Sequence, residues 1–433
     1  MKSQSREPFT LPRASHQISR REIDPDALKV LYRLSRNGFK AFMVGGAVRD
    51  LLLGKKPKDF DIATDARPGQ IKKLFANCFL IGRRFRLAHI RFKGGKIIEV
   101  ATFRREPDTT EEAQADHNNT FGTPQEDAFR RDITINALFY DINTFSIIDY
   151  VGGLEDIKRK RVCIIGDPAV RYSEDPVRMW RVLRYASRQG FSIEHETAKA
   201  IETNRDLLAA SSGSRLYEEL NKDLTSGFAG DFFRKMAACS LLSIILGNVG
   251  KIVEESHEVR EEFLRLLDIL DGALRRGEPP SQVVSYGLFL WPWACRIIHE
   301  KGHIYRDKMK LLTDEYAGSQ VLVIIPKALR ANMIHVLEIL ERMMSAMQTG
   351  RMRWSLAKKA SYKDADEMFA FITLGRIVHG ENAFASVFND KFPFSNGMGK
   401  ILKKRHRRYR RPKTKANSAQ LTVTSDQNCV TSD

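Results

Sequence analysis

Cysteine is scarce. The five (Cys78, Cys163, Cys239, Cys295 and Cys429) are odd in number, far apart and never form a C-x-x-C pair. A disulfide framework and a cysteine zinc site are disfavoured, and a reducing cytoplasm is the expected location. Long apolar runs are also missing. The stretches around Tyr286–Cys295 and Val321–Pro326 fall short of the roughly 20 residues that span a bilayer, so no integral membrane association is expected. Met1–Arg21 contains no apolar segment of the kind that directs secretion. Basic, Ser-containing and poor in acids, it reads as a mobile arm, with an organelle transit peptide as the lesser alternative. No repeat of fixed period and no His-Asp dipeptide occurs, so a fused phosphohydrolase domain is not signalled. Acids are the deficient charge: 53 against 71 Lys plus Arg, a net of +18 over 433 residues. Such an excess calls for an anionic partner, nucleic acid or an acidic membrane surface. What is present, 42% hydrophobic and 9% aromatic residues, suits two to four folded domains and excludes a disordered chain.

The charge is uneven. Lys400–Lys415 holds ten Lys or Arg and no acid, and removing them leaves +8 for the rest. A block of like charge cannot fold on itself, so residues 398–433 are expected to form a basic, disordered tail. Before residue 150, runs with strand character alternate with helical ones: Ala41–Val44, Phe60–Ala63, Cys78–Ile81, Ala88–Phe92, Ile97–Phe103 and Ser146–Tyr150. Gly94-Gly95 between two of them signals a hairpin. After residue 150 the pattern is almost wholly helical, punctuated by Pro279-Pro280 and Pro292. The expected fold class is α+β: a small α/β head, an all-helical neck and body, and the tail.

Chemistry concentrates between Phe42 and Ile62. An apolar strand runs into Gly45-Gly46 and then a helix with Arg49 in its first turn. That turn exposes backbone N–H groups where phosphate oxygens are attracted, and Arg49 could donate to the same anion. Glycine turns before helices are common, and a purely structural turn is the competing reading. Asp59 and Asp61 flank Phe60; strand alternation puts both carboxylates on one face and the ring on the other. Paired carboxylates repel unless a cation neutralises them, and Mg²⁺ (with Mn²⁺ able to substitute) is the natural oxygen-ligated partner. An isolated D-x-D is usually an unremarkable strand end. Here the upstream turn and Lys55, Lys56 and Lys58 favour metal carboxylates beside a triphosphate cradle. A third acid, Asp132, follows Arg130-Arg131; it caps a helix, faces the metal site, or does both. Arg131 would then point at substrate phosphate or base.

The series G-G-x-V-R-D, D-F-D, R-R-D-x-T-I-N-A-L and E-D-P-V-R-M-W-R-V-L-R, over residues 42 to about 190, resembles the class II nucleotidyltransferases. These comprise bacterial poly(A) polymerases and CCA-adding tRNA nucleotidyltransferases. Weaker similarity continues through Ser214–Glu219. The resemblance implies a palm-like nucleotidyltransferase head over residues 24–150, preceded by a flexible basic arm, 1–23. A helical neck (151–225) would read the base and bind RNA, and a helical body (226–397) would bind RNA. It implies Asp59 and Asp61 as metal ligands, Asp132 as a further catalytic carboxylate, and Gly45, Gly46, Arg49 and Arg131 as nucleotide-binding residues. Arg178, Arg181 and Arg184 recur at helical spacing with Asp175 one turn earlier, which alone suits a solvated basic face with an ion pair. In the family, the Asp and the first Arg of this motif contact the Watson–Crick edge of the incoming nucleotide. Arg181 and Arg184 would orient that pair and touch phosphates.

The segment Leu80–Ile90, with Gly82 followed by Arg83, Arg84, Phe85 and Arg86, resembles the poly(A) form; CCA-adding enzymes tend to small residues and His-Gly there. By composition it is a basic hairpin strand that contacts RNA phosphates without base preference, and His89 reads as structural. The tail (Lys403, Lys404, Arg405, Arg407, Arg408, Arg410 and Arg411) points to general RNA affinity. The expected activity is therefore template-independent transfer of AMP from ATP to RNA 3′ ends, by a monomer. CCA addition is the alternative, and a non-catalytic RNA-binding protein is a third. The acidic loop Arg105–Asn119 resembles nothing in the family and reads as a mobile loop over the site.

Overall fold

The computed structural model describes residues 7–82, 87–105, 121–302, 307–351, 354–375 and 391. Eight strands form one sheet: β1 Phe9–Leu11, β2 Ala41–Val44, β3 Asp61–Thr64, β4 Cys78–Ile81, β5 Leu87–Arg91, β6 Ile97–Thr102, β7 Leu138–Asp141 and β8 Ile147–Asp149. Their order is β1-β8-β7-β2-β3-β6-β5-β4. All neighbours are antiparallel except β3 and β6. Alternation sorts the side chains. Met43, Ile62, Ile98, Val100 and Ile90 face one core with Val30, Leu31 and Leu34 of α1 (Pro25–Arg36). Phe42, Val44, Ala63 and Phe139 face a second, smaller core on the opposite side. Asp24 caps α1 by accepting from the N–H groups of Asp26 and Ala27, and Pro25 opens the helix without losing a bond. The head also carries α2 Gly46–Leu52, α3 Pro68–Leu74, α4 Pro124–Phe129 and α5 Gly153–Lys158.

The rest is helical: α6 Pro168–Glu174, α7 Val177–Gln189, α8 His195–Asn204, α9 Gly213–Leu224, α10 Ala229–Ala238, α11 Leu242–Leu246, α12 Asn248–Glu255, α13 His257–Arg275, α14 Gln282–Lys301, α15 Lys308–Gly318, α16 Lys327–Thr349 and α17 Tyr362–Leu374. Among the described residues of this part, Arg161–Val162 and Ser192–Ile193 add a short parallel strand pair. One continuous core runs from Ile133 and Ile135 through Trp180, Phe232, Phe233, Phe263 and Trp293 to Phe371, so neck and body pack as one layered mass. No described helix is long and apolar enough to cross a membrane.

Several expectations are corrected. The described part of the supposed flexible arm is packed: Phe9–Leu11 pairs with β8, and Ile18 and Ile23 are buried. A three-residue edge strand and two isolated isoleucines are too sparse to give a periodic signal. Pro292 does not end a helix; it lies within α14, whose residues Val284 to Ala294 are buried, and packing carries the missing backbone bond. The strand expected over Phe60–Ala63 starts one residue later. Strand β7, hidden in the R-R-D-x-T-I-N-A-L segment, follows a single 3₁₀ turn at Thr134–Asn136. The hairpin at Gly94-Gly95 forms, with Gly94 at φ +77° joining β5 to β6.

Candidate active site

Strand β2 ends at Val44, and the chain turns through Gly45 at φ +73°, a conformation that favours glycine. A β-carbon on Gly45 would stand 3.5 Å from Arg131 Nη1 and 4.0 Å from Asp61 Oδ2. The glycine turn, the arginine and the acid of the expected site therefore meet at one place. Arg131 is fixed there: its Nε and Nη2 donate to Asp127 Oδ2 (3.2 and 3.0 Å) and its Nη1 to the Asn136 carbonyl (3.2 Å). Arg49 is buried, donating through Nε and Nη2 to Asp50 (2.9 and 2.8 Å) and through Nη1 to the Asn136 side chain. Its guanidinium lies 5.3 Å from the centre of the Tyr185 ring on α7, which joins head to neck. Gly46 backs directly onto Arg49.

Asp61 opens β3 opposite Val44 on one side and Glu99 of β6 on the other. Phe60 packs into the core behind, as alternation requires. Asp61 is exposed at the surface yet sits on a floor crowded by protein. That partial burial, then Glu99 and Asp59, raise its pKa to about 6 against the pull of Arg131. Three carboxylates thus gather on one edge. Among the described residues, however, no three His, Cys, Asp or Glu side chains converge closely enough to hold a metal ion.

Asp132 is engaged by the neck. It does not cap the following turn, whose N-cap is Ile133. Its carboxylate instead pairs with Arg181 Nη1 and stands 3.5 Å from Arg178 Nε, both on α7. Arg178 also donates to Glu174 Oε2 (2.7 Å) and to the Arg171 carbonyl (3.0 Å). Asp175 accepts a two-pronged contact from Arg215 of α9 at 2.9 and 2.7 Å. Arg184 departs most from expectation. Buried to 4% exposure, it spends all three nitrogens on Asp223 and Glu219 of α9, so it pins the neck together instead of lining the cleft. Trp180 Nε1 donates to the same Asp223 at 2.6 Å. Arg188, one helical turn on, has its pKa pushed down by burial; Asp223 opposes this, while Arg184 and Arg49 add repulsion.

Five residues escaped the sequence reading. Glu99 was legible as a lone acid in an apolar strand. Asp127 was legible from its i+3 and i+4 spacing to Arg130 and Arg131, both of which it holds. Asn136 joins Arg49 to Arg131. Arg171 Nη2 donates to the carbonyls of Arg130 and Arg131 (2.9 and 3.1 Å), fixing the segment that carries Asp132. No local pattern announces Arg171 or Arg215, whose contacts span 41 and 40 positions. Arg83, Arg84, Arg86, residues 106–120 of the acidic loop region and the whole tail, Lys403 to Arg411 included, lie outside the described residues.

A family model for the poly(A) polymerase head domain matches residues 41–163, spanning the glycine turn, both acids and Asp132. A second, described as "Probable RNA and SrmB-binding site of polymerase A", matches residues 190–249. The poly(A) polymerase I of Salmonella typhi is 37% identical over 375 residues, covering 83% of this chain and 80% of that protein. This chain belongs to the family of poly(A) polymerases and CCA-adding enzymes. Within that nucleotidyltransferase family, a CCA-adding enzyme of Bacillus pumilus is 42% identical over 238 residues, 55% of this chain and 59% of that protein. The fold matches the Thermotoga maritima CCA-adding enzyme complexed with tRNA, with a TM-score of 0.60 at 20% identity, over 92% of this chain and 90% of that one.

Proposed function

We propose that the protein is a template-independent poly(A) polymerase, transferring AMP from ATP to RNA 3′ ends with release of pyrophosphate. The observation that carries this reading is the extent of the likeness. Similarity to a poly(A) polymerase runs through four fifths of both chains, whereas similarity to a CCA-adding enzyme covers little more than half. The basic residues Arg83, Arg84 and Arg86 and the basic tail support it, as RNA contacts that read phosphate and not sequence.

The donors suit a hard divalent cation: Asp59, Asp61 and Glu99 offer only oxygen, and burial together with Glu99 and Asp59 raises the pKa of Asp61 in spite of Arg131. Mg²⁺ held by Asp59 and Asp61, with Mn²⁺ as a substitute, would supply charge neutralisation at the reacting phosphate. The protein's own groups do the rest. The Gly45-Gly46 turn lets the triphosphate approach the backbone beside Arg131, whose guanidinium favours its charge. Asp175 and Arg178 present an acceptor and a donor to the adenine edge. Each is already held from behind, by Arg215 and by Glu174, so neither must be reorganised when the nucleotide arrives. Asp132, the third carboxylate, holds Arg178 and Arg181, and Glu99 stands beside Asp61. Arg184 holds the neck.

CCA addition is the second reading, favoured by the 42% identity of the shared part. Transfer RNA lacking its 3′ end, given ATP and CTP together, separates the two. A poly(A) polymerase leaves CTP unused and adds a run of A; ordered addition of two C and one A would overturn the proposal.

A further inference from the structure

Beyond Asp61 no described residue packs over Phe79, Ile81 or Ile97 enough to bury it, on the sheet face that carries the acids. Strands β4, β5 and β6 alternate: Cys78, Ala88, Ile90, Ile98 and Val100 are buried, while the residues between them face out. Phe79, Ile81 and Ile97 are 47%, 44% and 42% exposed. The register draws one row across the strands from Phe79 to Asp61. Phe79 pairs with His89, His89 with Glu99, and Glu99 with Asp61. At about 4.8 Å per strand, Phe79 stands about 14 Å from Asp61. The row is not purely apolar. His89 Nε2 lies 3.4 Å from Glu99 Oε1, and the Arg91 guanidinium sits over the Phe79 ring at 4.4 Å from its centre.

We propose that this face is a stacking platform for the single-stranded RNA just upstream of its 3′ end, with Phe79 receiving a base and Arg91 a phosphate. The proposal rests on the reading that the head extends RNA 3′ ends. Three features select this occupant. The row runs without interruption into the acids, so a strand whose 3′-hydroxyl reaches Asp61 passes over it. An exposed aromatic on a sheet face, with an arginine stacked over it whose place a base can share or take, is an arrangement that stacks bases regardless of sequence. A protein partner would need a charge-depleted centre, yet His89, Glu99 and Arg91 occupy this one. Terminal addition also demands that tolerance, since the bases under the strand begin as any RNA and become adenines.

Phe79 is exposed and does not belong to the core, so its replacement tests the surface and not the fold. F79A should weaken binding of an unstructured RNA, measured without nucleotide, about tenfold, the scale of losing one stacked base. F79W should bind as wild type does. In turnover, the KM for RNA should rise by the same factor while the KM for ATP stays within twofold. A scan of single abasic nucleotides along the primer should find one position, a few residues in from the terminus, that weakens wild-type binding and costs nothing further in F79A. RNA binding by F79A within twofold of wild type overturns the platform, whichever nucleotide the wild type adds. A change of oligomeric state with RNA affinity intact overturns it too, and assigns the face to a second copy. If wild type fails to extend RNA while F79A loses binding, the poly(A) reading falls and the platform stands.

Discussion

Asp61 is the residue on which charge and geometry press hardest. Its pKa of about 6 lies above that of a free carboxyl, so its ionisation opposes folding in metal-free protein. The stability it contributes is whole below its unfolded pKa near 4 and is lost as pH rises through about 6. Melting temperatures without divalent ions should therefore fall between pH 4.5 and 7, less steeply in D61N. A bound cation must displace that proton, so the Mg²⁺ concentration giving half-maximal activity should rise up to about tenfold per pH unit below 6. A flat metal requirement between pH 5.5 and 7.5 would contradict the assignment of Asp61. Arg184 gives the opposite kind of prediction. Replacing it by Met leaves Glu219 and Asp223 buried without their partner, at a cost of about 3–5 kcal/mol. R184M should unfold at markedly lower temperature. A wild-type melting temperature with a raised KM for ATP would restore Arg184 to the nucleotide site. The family resemblance grouped Arg184 with Arg178 and Arg181, because a linear motif cannot show which arginine the next helix covers.

At the scale of elements, base reading depends on α9 as much as on α7. Gly213 opens α9, and a β-carbon there would stand 2.3 Å from the Leu322 carbonyl, while Ile324 N–H donates back to the Gly213 carbonyl at 3.0 Å. A strap from the body thus fixes the start of the helix that presents Arg215 to Asp175. R215A should lower kcat/KM for ATP about tenfold and narrow the preference for ATP over CTP and GTP, since Asp175 loses its orientation. The melting temperature should move little, because Arg215 is 44% exposed in its side chain. Unchanged ratios across the four nucleotides in R215A, D175A and R178A would mean that the base is read elsewhere. The sheet and most strands were legible because alternation is local. The acid pair and glycine turn were legible because they are contiguous in sequence. The partners of Asp132 were not legible, because Arg178 and Arg181 are 46 and 49 positions away on a helix whose docking no local signal encodes.

The whole molecule is a basic enzyme with much of its excess charge in one block. Ten cations in Lys400–Lys415 can each release a condensed counterion from RNA. Four to seven simultaneous contacts correspond to roughly three to five units of log–log salt slope. Truncation after Met398 should flatten the salt dependence of RNA affinity by that amount and reduce processivity at low salt. Turnover on saturating primer should be nearly unchanged. Parallel lines for the two proteins would show that the tail does not hold RNA. That block was the plainest feature of the sequence, because net charge needs no tertiary structure to be counted. The junction of head and neck, where Arg49 meets Tyr185 and Lys55 meets Gln189, was invisible for the converse reason.

The central claim is adenylate-specific extension of RNA without a template. Each of the four nucleoside triphosphates, supplied alone with an unstructured RNA primer and Mg²⁺, tests it most directly. ATP should give a long ladder of products, the other three little or none, and D59N or D61N should fall by at least about 10³-fold while RNA binding persists. Extension by CTP comparable to that by ATP, or activity of either variant within tenfold of wild type, would contradict the account.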